Sequence, residues 1–314
     1  MERFVNYLQG NNLSPVTIDR YSREVRGFMA WYGSEDILNC QKSEILNYLS
    51  FLKSKNQQAI TRNHSLVALR HYFDSLISEG LIIGNPTALI KLRGVKKQKL
   101  YRTYTPEEME ELADTYYQLE VRRTRDRLQE LTTKAGEHLC KRSYLSKTRN
   151  YVMLQFFIHQ GLRTREVLDL RVDDVMLHKA TVHIQGGTRG KSRTLSLHAT
   201  QMGSLMQYLN EIRPQLETGN TDDTLFLPIP KNDPRAKKET EANFKGFIKR
   251  LKQLDRNFES LAQLRSSVIA YWIESHGLRK AQYMAGHKSI TSTEGYQPNN
   301  IGELADDISK FNPF

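Results

Sequence analysis

The sequence predicts a mainly α-helical protein with one small antiparallel β-sheet, arranged as an N-terminal helical bundle followed by a larger α+β segment. Three observations carry this prediction. Apolar residues recur at three- and four-residue steps over most of the chain. Between residues 172 and 197 that period gives way to alternation. A basic stretch from Gly94 to Tyr104 follows the Asn85-Pro86 breaker and reads as a cationic linker. The expected division is a bundle at 1–95, a linker at 96–104 and a second segment at 105–314.

In the first segment, Ser14 and Pro15 form an N-cap followed by a first-turn proline. Ile18, Tyr21, Val25, Phe28 and Tyr32 then line one face. Ser43 opens another helix, with Ile45, Tyr48, Leu49 and Leu52 inward. A third runs from about Thr61, with Leu66, Leu69, Phe73, Leu76 and Ile77 inward, and Gly80 stops it. Short connections make this a helical bundle. Most of its surface Lys and Arg residues serve solubility. Arg62 is the better placed to meet a phosphate, because free N–H groups at a helix start favour an anion. Lys97, in the basic linker, is a second candidate contact.

The second segment opens with Thr105-Pro106-Glu107-Glu108, a capping box. Residues 118–149 are dense in Arg and Lys and predict a polar helix or helical hairpin. A stronger helix starts at Lys147, with Tyr151, Leu154, Ile158 and Leu162 on one face. Val175, Val182, Ile184, Leu195 and Leu197 alternate with polar residues, around the glycine-rich tip Gln185 to Ser192. That is a β-hairpin or small antiparallel sheet with a basic, mobile tip. The proline-rich region 214–240 reads as loop, and from Phe244 the pattern is helical almost to the end.

Composition narrows the function. Apolar residues make up 39% and charged residues 26%, which excludes global disorder. The net charge of +11 favours a polyanionic partner, nucleic acid before a membrane surface. Cys40 and Cys140 stand far apart, which excludes a disulfide scaffold or a cysteine zinc site and fits a reducing, cytoplasmic setting. No stretch reads as a membrane span, and the N-terminus has no signal-peptide pattern. The histidines are scattered and no carboxylate cluster appears, so neither a metal nor another cofactor is implied.

Two motifs carry the chemistry. The first runs Gly161-Leu-Arg-Thr-Arg-Glu166 and on to Val175. The second joins Leu264-Arg265, an apolar helix ending at Gly277, Ala285-Gly286-His287-Lys-Ser-Ile290 and Tyr296. The His-to-Tyr interval is nine residues, 296 − 287. In this order the motifs resemble the two signatures of the tyrosine recombinases, also called phage integrases. The resemblance covers essentially the whole chain, since the N-terminal bundle is similar to the family's SAM-like core-binding domain. It implies an α+β catalytic domain in the second segment and double-stranded DNA as partner.

The chemistry explains the residue types. A phosphodiester is a poor electrophile, and two guanidiniums can grip its non-bridging oxygens and neutralise the charge that builds up in the transition state. Arg163 and Arg265 are the expected pair, each worth on the order of 3 kcal/mol of transition-state stabilisation. His287 is expected to bond a phosphate oxygen or to position the tyrosine. Tyr296 is the expected nucleophile. It forms a 3′-phosphotyrosine and releases a 5′-hydroxyl, a linkage that conserves bond energy for rejoining. The resemblance also implies a hairpin lysine as general acid. Arg189 and Lys191 share the tip, and Lys191 is preferred because guanidinium is a poor proton donor at neutral pH. Arg189 is then a candidate DNA contact.

One departure stands out. The family usually has His three residues before the second arginine, and this chain has Ala262. His276-Gly-Leu-Arg279 matches that pattern literally, but it falls in the turn after the apolar helix and is rejected as the site. Glu166 is expected to support an arginine. The tail 299–314 has helical spacing, and by resemblance would dock into a neighbouring protomer of a tetramer on DNA. Site-specific recombination is therefore the expected activity. A DNA-binding protein of recombinase descent that no longer cleaves, and a type IB topoisomerase-like nicking-closing enzyme, are the alternatives.

Overall fold

The computed structural model describes residues 1–33, 36–92, 102–187, 190–217, 223–229 and 244–297. Lys97, Arg189, the tail 299–314 and most of the linker 96–104 lie outside them. The chain divides into two compact units, Met1–Lys99 and Leu100–Phe314, each with its own apolar core.

The first unit contains α1 (Glu2–Gly10), α2 (Pro15–Tyr32), α3 (Lys42–Ser54) and α4 (Ala59–Ser78). Ser14 Oγ accepts the Thr17 N–H at 3.3 Å, so α2 starts where its cap predicts. Val25, Phe28, Ile45, Leu49, Leu69 and Phe73 are buried between the helices. Phe28 meets Tyr48 edge to face at 5.0 Å. Ile77, expected inward, is exposed. Two residues before the expected start at Thr61, α4 begins at Ala59. The Arg62 N–H is therefore already bonded to the Gln58 carbonyl at 3.0 Å, and an anion would meet the N–H groups of the preceding turn instead. Gly80, at φ +70°, closes α4.

The second unit opens with α5 (Pro106–Tyr116). Its capping box is complete: Thr105 Oγ1 accepts the Glu108 N–H at 3.2 Å, and Glu108 Oε2 accepts the Thr105 N–H at 3.0 Å. A π-helical turn, Tyr117–Arg122, leads into α6 (Arg123–Glu130), and α7 (Lys134–His159) packs back against it. The polar region is thus a helical hairpin, and α7 starts well before the apolar pattern at Lys147. The reason is that its first turns bury no residue before Leu145. Polar contacts hold this part instead. Cys140 Sγ, for one, lies 3.5 Å from the Thr124 carbonyl, and such contacts leave no apolar periodicity.

Beyond α7 come α8 (Thr164–Asp169) and the antiparallel strands β1 (Val175–Met176), β2 (Thr181–Ile184) and β3 (Arg193–Ser196), in the order β1-β2-β3. Val182 pairs with Leu195 and Ile184 with Arg193, and all four face inward. The chain continues through α9 (Ala199–Gln207), α10 (Phe244–Leu254), α11 (Leu261–Ala285) and α12 (Thr291–Glu294). The apolar helix expected to end at Gly277 is only interrupted there, at φ +76°, and resumes to Ala285. Among the described residues no helix is long and apolar enough to cross a membrane.

Candidate active site

The ends of α7 and α11 bring the two motifs together. Gly161, at φ +54°, turns the chain out of α7, and a Cβ there would lie 3.0 Å from Val268 of α11. The Gly161 carbonyl is thereby presented to Arg265, which is only 6% exposed in the second turn of α11. Arg265 also donates from Nη2 to the Ala285 carbonyl at 2.7 Å and to His287 Nε2 at 3.2 Å. One guanidinium thus ties the first motif to the second. Its pKa is lowered to about 10, chiefly by burial and then by the charge of Arg163.

The contacts of His287 settle its tautomer. A guanidinium can only donate, so Nε2 accepts from Arg265 and the ring proton sits on Nδ1, 2.9 Å from Thr293 Oγ1. Burial, then the charges of Arg265, Arg163 and Arg193, lower its pKa to about 4. The Tyr296 ring stacks on it, with centroids 5.6 Å apart and planes at 15°. Tyr296 follows α12, is partly buried, and borders a cavity of about 360 Å³ with Tyr104, Pro106, Ser267 and Tyr271.

Arg163, at the N-cap of α8, completes the group. Its N–H and Nη1 both bond Glu166, at 2.8 and 2.9 Å, and its side chain is 32% exposed. Arg163, Arg265, His287 and Tyr296 are therefore assembled in one place. Lys191 is joined to them by backbone alone. Its N–H bonds the Gly286 carbonyl at 3.0 Å, and its side chain is exposed. At neighbouring Gly190 a Cβ would lie 3.4 Å from Arg163 Nη1, so the hairpin backbone is already seated on the site.

One residue of the site went unnoticed in the sequence. Arg193 of β3 has a fully buried side chain and makes a two-pronged pair with Glu166, Nη1 to Oε1 and Nη2 to Oε2, both 3.0 Å. It shares strand parity with the inward Leu195 and Leu197, and that parity was the available signal. Glu166 is consequently a hub that also lies 3.6 Å from Arg265. Burial raises its pKa, but the hydrogen bonds and charge of Arg193, with the Arg163 N–H and Arg265, overcome this and hold it at about 2. At Gly286, φ +67°, a Cβ would fall 2.5 Å from Arg193 Nη1, so the glycine before His287 leaves room for this pair.

Arg193→Gln is expected to slow cleavage tenfold to hundredfold, roughly the cost of misplacing catalytic groups. Without Arg193 the Glu166 carboxyl titrates higher, so the acid limb of the pH–rate profile moves up. An unmoved acid limb would reduce Arg193 to a packing role.

Around the missing histidine the described candidates are exposed or already engaged. Ala262 is exposed on α11. Gln263 is fully buried and already engaged, donating to the Arg102 and Asn257 carbonyls at 3.0 and 3.1 Å. His276 and Arg279 are exposed beside the Gly277 break.

The lowered pKa of His287 has a thermodynamic consequence. Above about pH 6.5, its ordinary value, the ring is neutral in both folded and unfolded chains. As pH falls towards 4, the unfolded chain takes up a proton that the folded site refuses, and stability is lost. The expected loss from this group is about 2 kcal/mol between pH 8 and pH 5. Denaturant melts of the wild type and His287→Asn at both pH values check it: the wild type should lose more. Equal losses would mean that His287 titrates normally in the fold.

Known proteins resemble this chain along nearly its whole length. Residues 126–302 match the phage integrase family, and residues 1–80 match its N-terminal SAM-like domain. The chain is 25% identical to tyrosine recombinase XerD of Oceanobacillus iheyensis, covering 100% of this chain and 98% of that one. It is 24% identical to the TnP I resolvase of Bacillus thuringiensis, covering 96% and 95%. Among solved structures, the XerH site-specific recombinase bound to a palindromic difH substrate shares the fold, with a TM-score of 0.69, 19% identity, and coverage of 96% and 82%. A lambda integrase dimer bound to a core site gives a TM-score of 0.65 at 14% identity, covering 95% and 94%. With the family matched over more than half the chain and both signature motifs folded into one site, this protein belongs to the phage integrase family, the tyrosine recombinases.

Proposed function

We propose that the protein cleaves and rejoins double-stranded DNA at specific sites through a 3′-phosphotyrosine on Tyr296. The observation that carries this reading is the chain of contacts from Gly161 through Arg265 and His287 to Tyr296. Arg163 and Arg265 would clamp the non-bridging oxygens of the scissile phosphate. The Tyr296 hydroxyl attacks phosphorus, the bond to the 5′-oxygen breaks, and the leaving oxygen takes a proton from the hairpin, with Lys191 as donor. Rejoining reverses these steps and needs no ATP. An entering phosphate brings negative charge to a site that depresses His287 with three cations, so His287 becomes easier to protonate as DNA binds.

The seated Gly190–Lys191 backbone supports a donor from the hairpin, and the resemblance supports Lys191 over Arg189. Arg62, Lys97 and Arg189 are proposed DNA contacts. Assembly is proposed as a tetramer on two core sites, joined through the tail 299–314, in the cytoplasm. The known lambda integrase tetramer bound to a Holliday junction supports that reading.

The test is a nicked suicide substrate, from which the cleaved strand's short product diffuses away. A covalent protein–DNA adduct that maps to Tyr296 is expected. A plasmid carrying two sites should yield recombinants, whereas relaxation alone would indicate a nicking-closing enzyme. The exposed Ala262, which offers no proton donor, favours the second reading, a DNA-binding protein without cleavage. Absence of any adduct would establish that second reading.

A further inference from the structure

Glu110, His159 and His198 lie on three elements that no sequence spacing connects. Glu110 is on α5, His159 is the last residue of α7, and His198 is the N-cap of α9. Their ligand-type atoms all lie within 4.8 Å of one another. The two imidazoles stack, with centroids 4.4 Å apart and planes at 13°. His198 Nδ1 sits 2.8 Å from Thr200 Oγ1. A proton donated along that bond leaves Nε2 with a free lone pair, the arrangement by which outer-shell partners orient metal-bound histidines.

We infer that Glu110, His159 and His198 form a binding site for a divalent first-row transition cation, with zinc the best match, outside the proposed active site. Two imidazoles and one carboxylate make a donor set that suits zinc and leaves a fourth position for water. Zinc–nitrogen bonds of about 2.0–2.1 Å place tetrahedral ligand atoms about 3.3 Å apart. The three side chains must therefore draw together by an ångström or so, and tilt out of the parallel stack. Glu110 and His198 are exposed, so rotation of their side chains supplies that movement.

The position gives the cation a role. It would tie α5 to the end of α7, where the chain turns through Gly161 to Arg163. On the other side Gln160 is already tied to α9 and β3, its Nε2 lying 2.7 Å from Gln201 Oε1 and 3.0 Å from the Ser196 carbonyl. A bound cation would complete that bracing of the segment that presents Arg163.

The test uses the full chain, stripped with a chelator and titrated with zinc chloride by calorimetry. Cobalt(II) is titrated in parallel for its visible ligand-field spectrum. One saturable zinc site per chain is expected, with a melting temperature that rises with free zinc. His198→Gln and Glu110→Gln should each weaken binding about tenfold or more. Both positions are exposed, so these variants should fold. His138→Gln, at an exposed histidine elsewhere on α7, should leave the affinity unchanged. No saturable binding, or an affinity indifferent to His198→Gln and His159→Gln, would overturn the proposal.

Discussion

Tyr296→Phe is expected to abolish the covalent adduct, a loss on the order of 10⁴-fold or more in strand cleavage, while DNA affinity and stability barely change. The substitution removes one oxygen and keeps the ring that stacks on His287. Tyr104, Tyr208, Tyr48 and Tyr151 are poor substitutes as nucleophiles. Tyr104 donates to Asp255 Oδ2 at 2.6 Å, and burial followed by that bond drives its pKa far above the ordinary value. Tyr208 donates to the Leu225 carbonyl at 3.0 Å. Burial pushes Tyr48 and Tyr151 up to about 12. Tyr296 instead adjoins the cationic group around Arg265, with its ring stacked on His287. Adduct yield on the suicide substrate and DNA affinity at one fixed salt concentration check this. An adduct that survives in Tyr296→Phe places the nucleophile elsewhere. A parallel loss of affinity would make Tyr296 a binding residue.

What was legible in the sequence follows from how each group is held. Arg163, Arg265, His287 and Tyr296 sit at fixed distances from helix ends, so their spacing survives in the chain as a motif. The capping box at Thr105 and the proline start of α2 are local in the same sense, and they read correctly. Arg193 is different. Its partner Glu166 lies on α8, 27 residues earlier in the chain, and its basic character resembles that of the hairpin tip beside it. Only its parity with Leu195 pointed inward. Thr293, which accepts the His287 Nδ1 proton, belongs to the Thr291-Ser-Thr stretch of the second motif, but its tie to the ring shows only in the fold. The first turns of α7 leave no apolar period because they bury no residue before Leu145, and contacts such as Cys140 to the Thr124 carbonyl are invisible to such a period. Glu110, His159 and His198 meet only through the tertiary fold, which a linear scan for ligand spacing cannot register.

Arg265→Gln and Arg163→Gln are expected to look alike in catalysis and different in stability. Each removes one guanidinium from the proposed phosphate clamp, and each should cost about 10²–10³-fold in single-turnover cleavage. Arg265 is buried, and its removal strands the Gly161 and Ala285 carbonyls and leaves His287 Nε2 without a donor. It also takes one cation from Glu166, whose charge is already inside the fold. Breaking such a buried, hydrogen-bonded group costs about 3 kcal/mol or more. Arg163 is one-third exposed and shares Glu166 with Arg193, so its loss should cost no more than about 1 kcal/mol. Arg265→Lys separates charge from geometry. An ammonium keeps the charge but lacks the planar fork that reaches both carbonyls, so the stability loss should largely persist. Denaturant melts alongside single-turnover cleavage decide the matter. If Arg265→Gln melts like Arg163→Gln, the two motifs are joined by packing of α7 on α11. If only Arg265→Gln falls, a single side chain both fastens the motifs together and grips the phosphate, and that double duty explains why the arginine is buried in the fold.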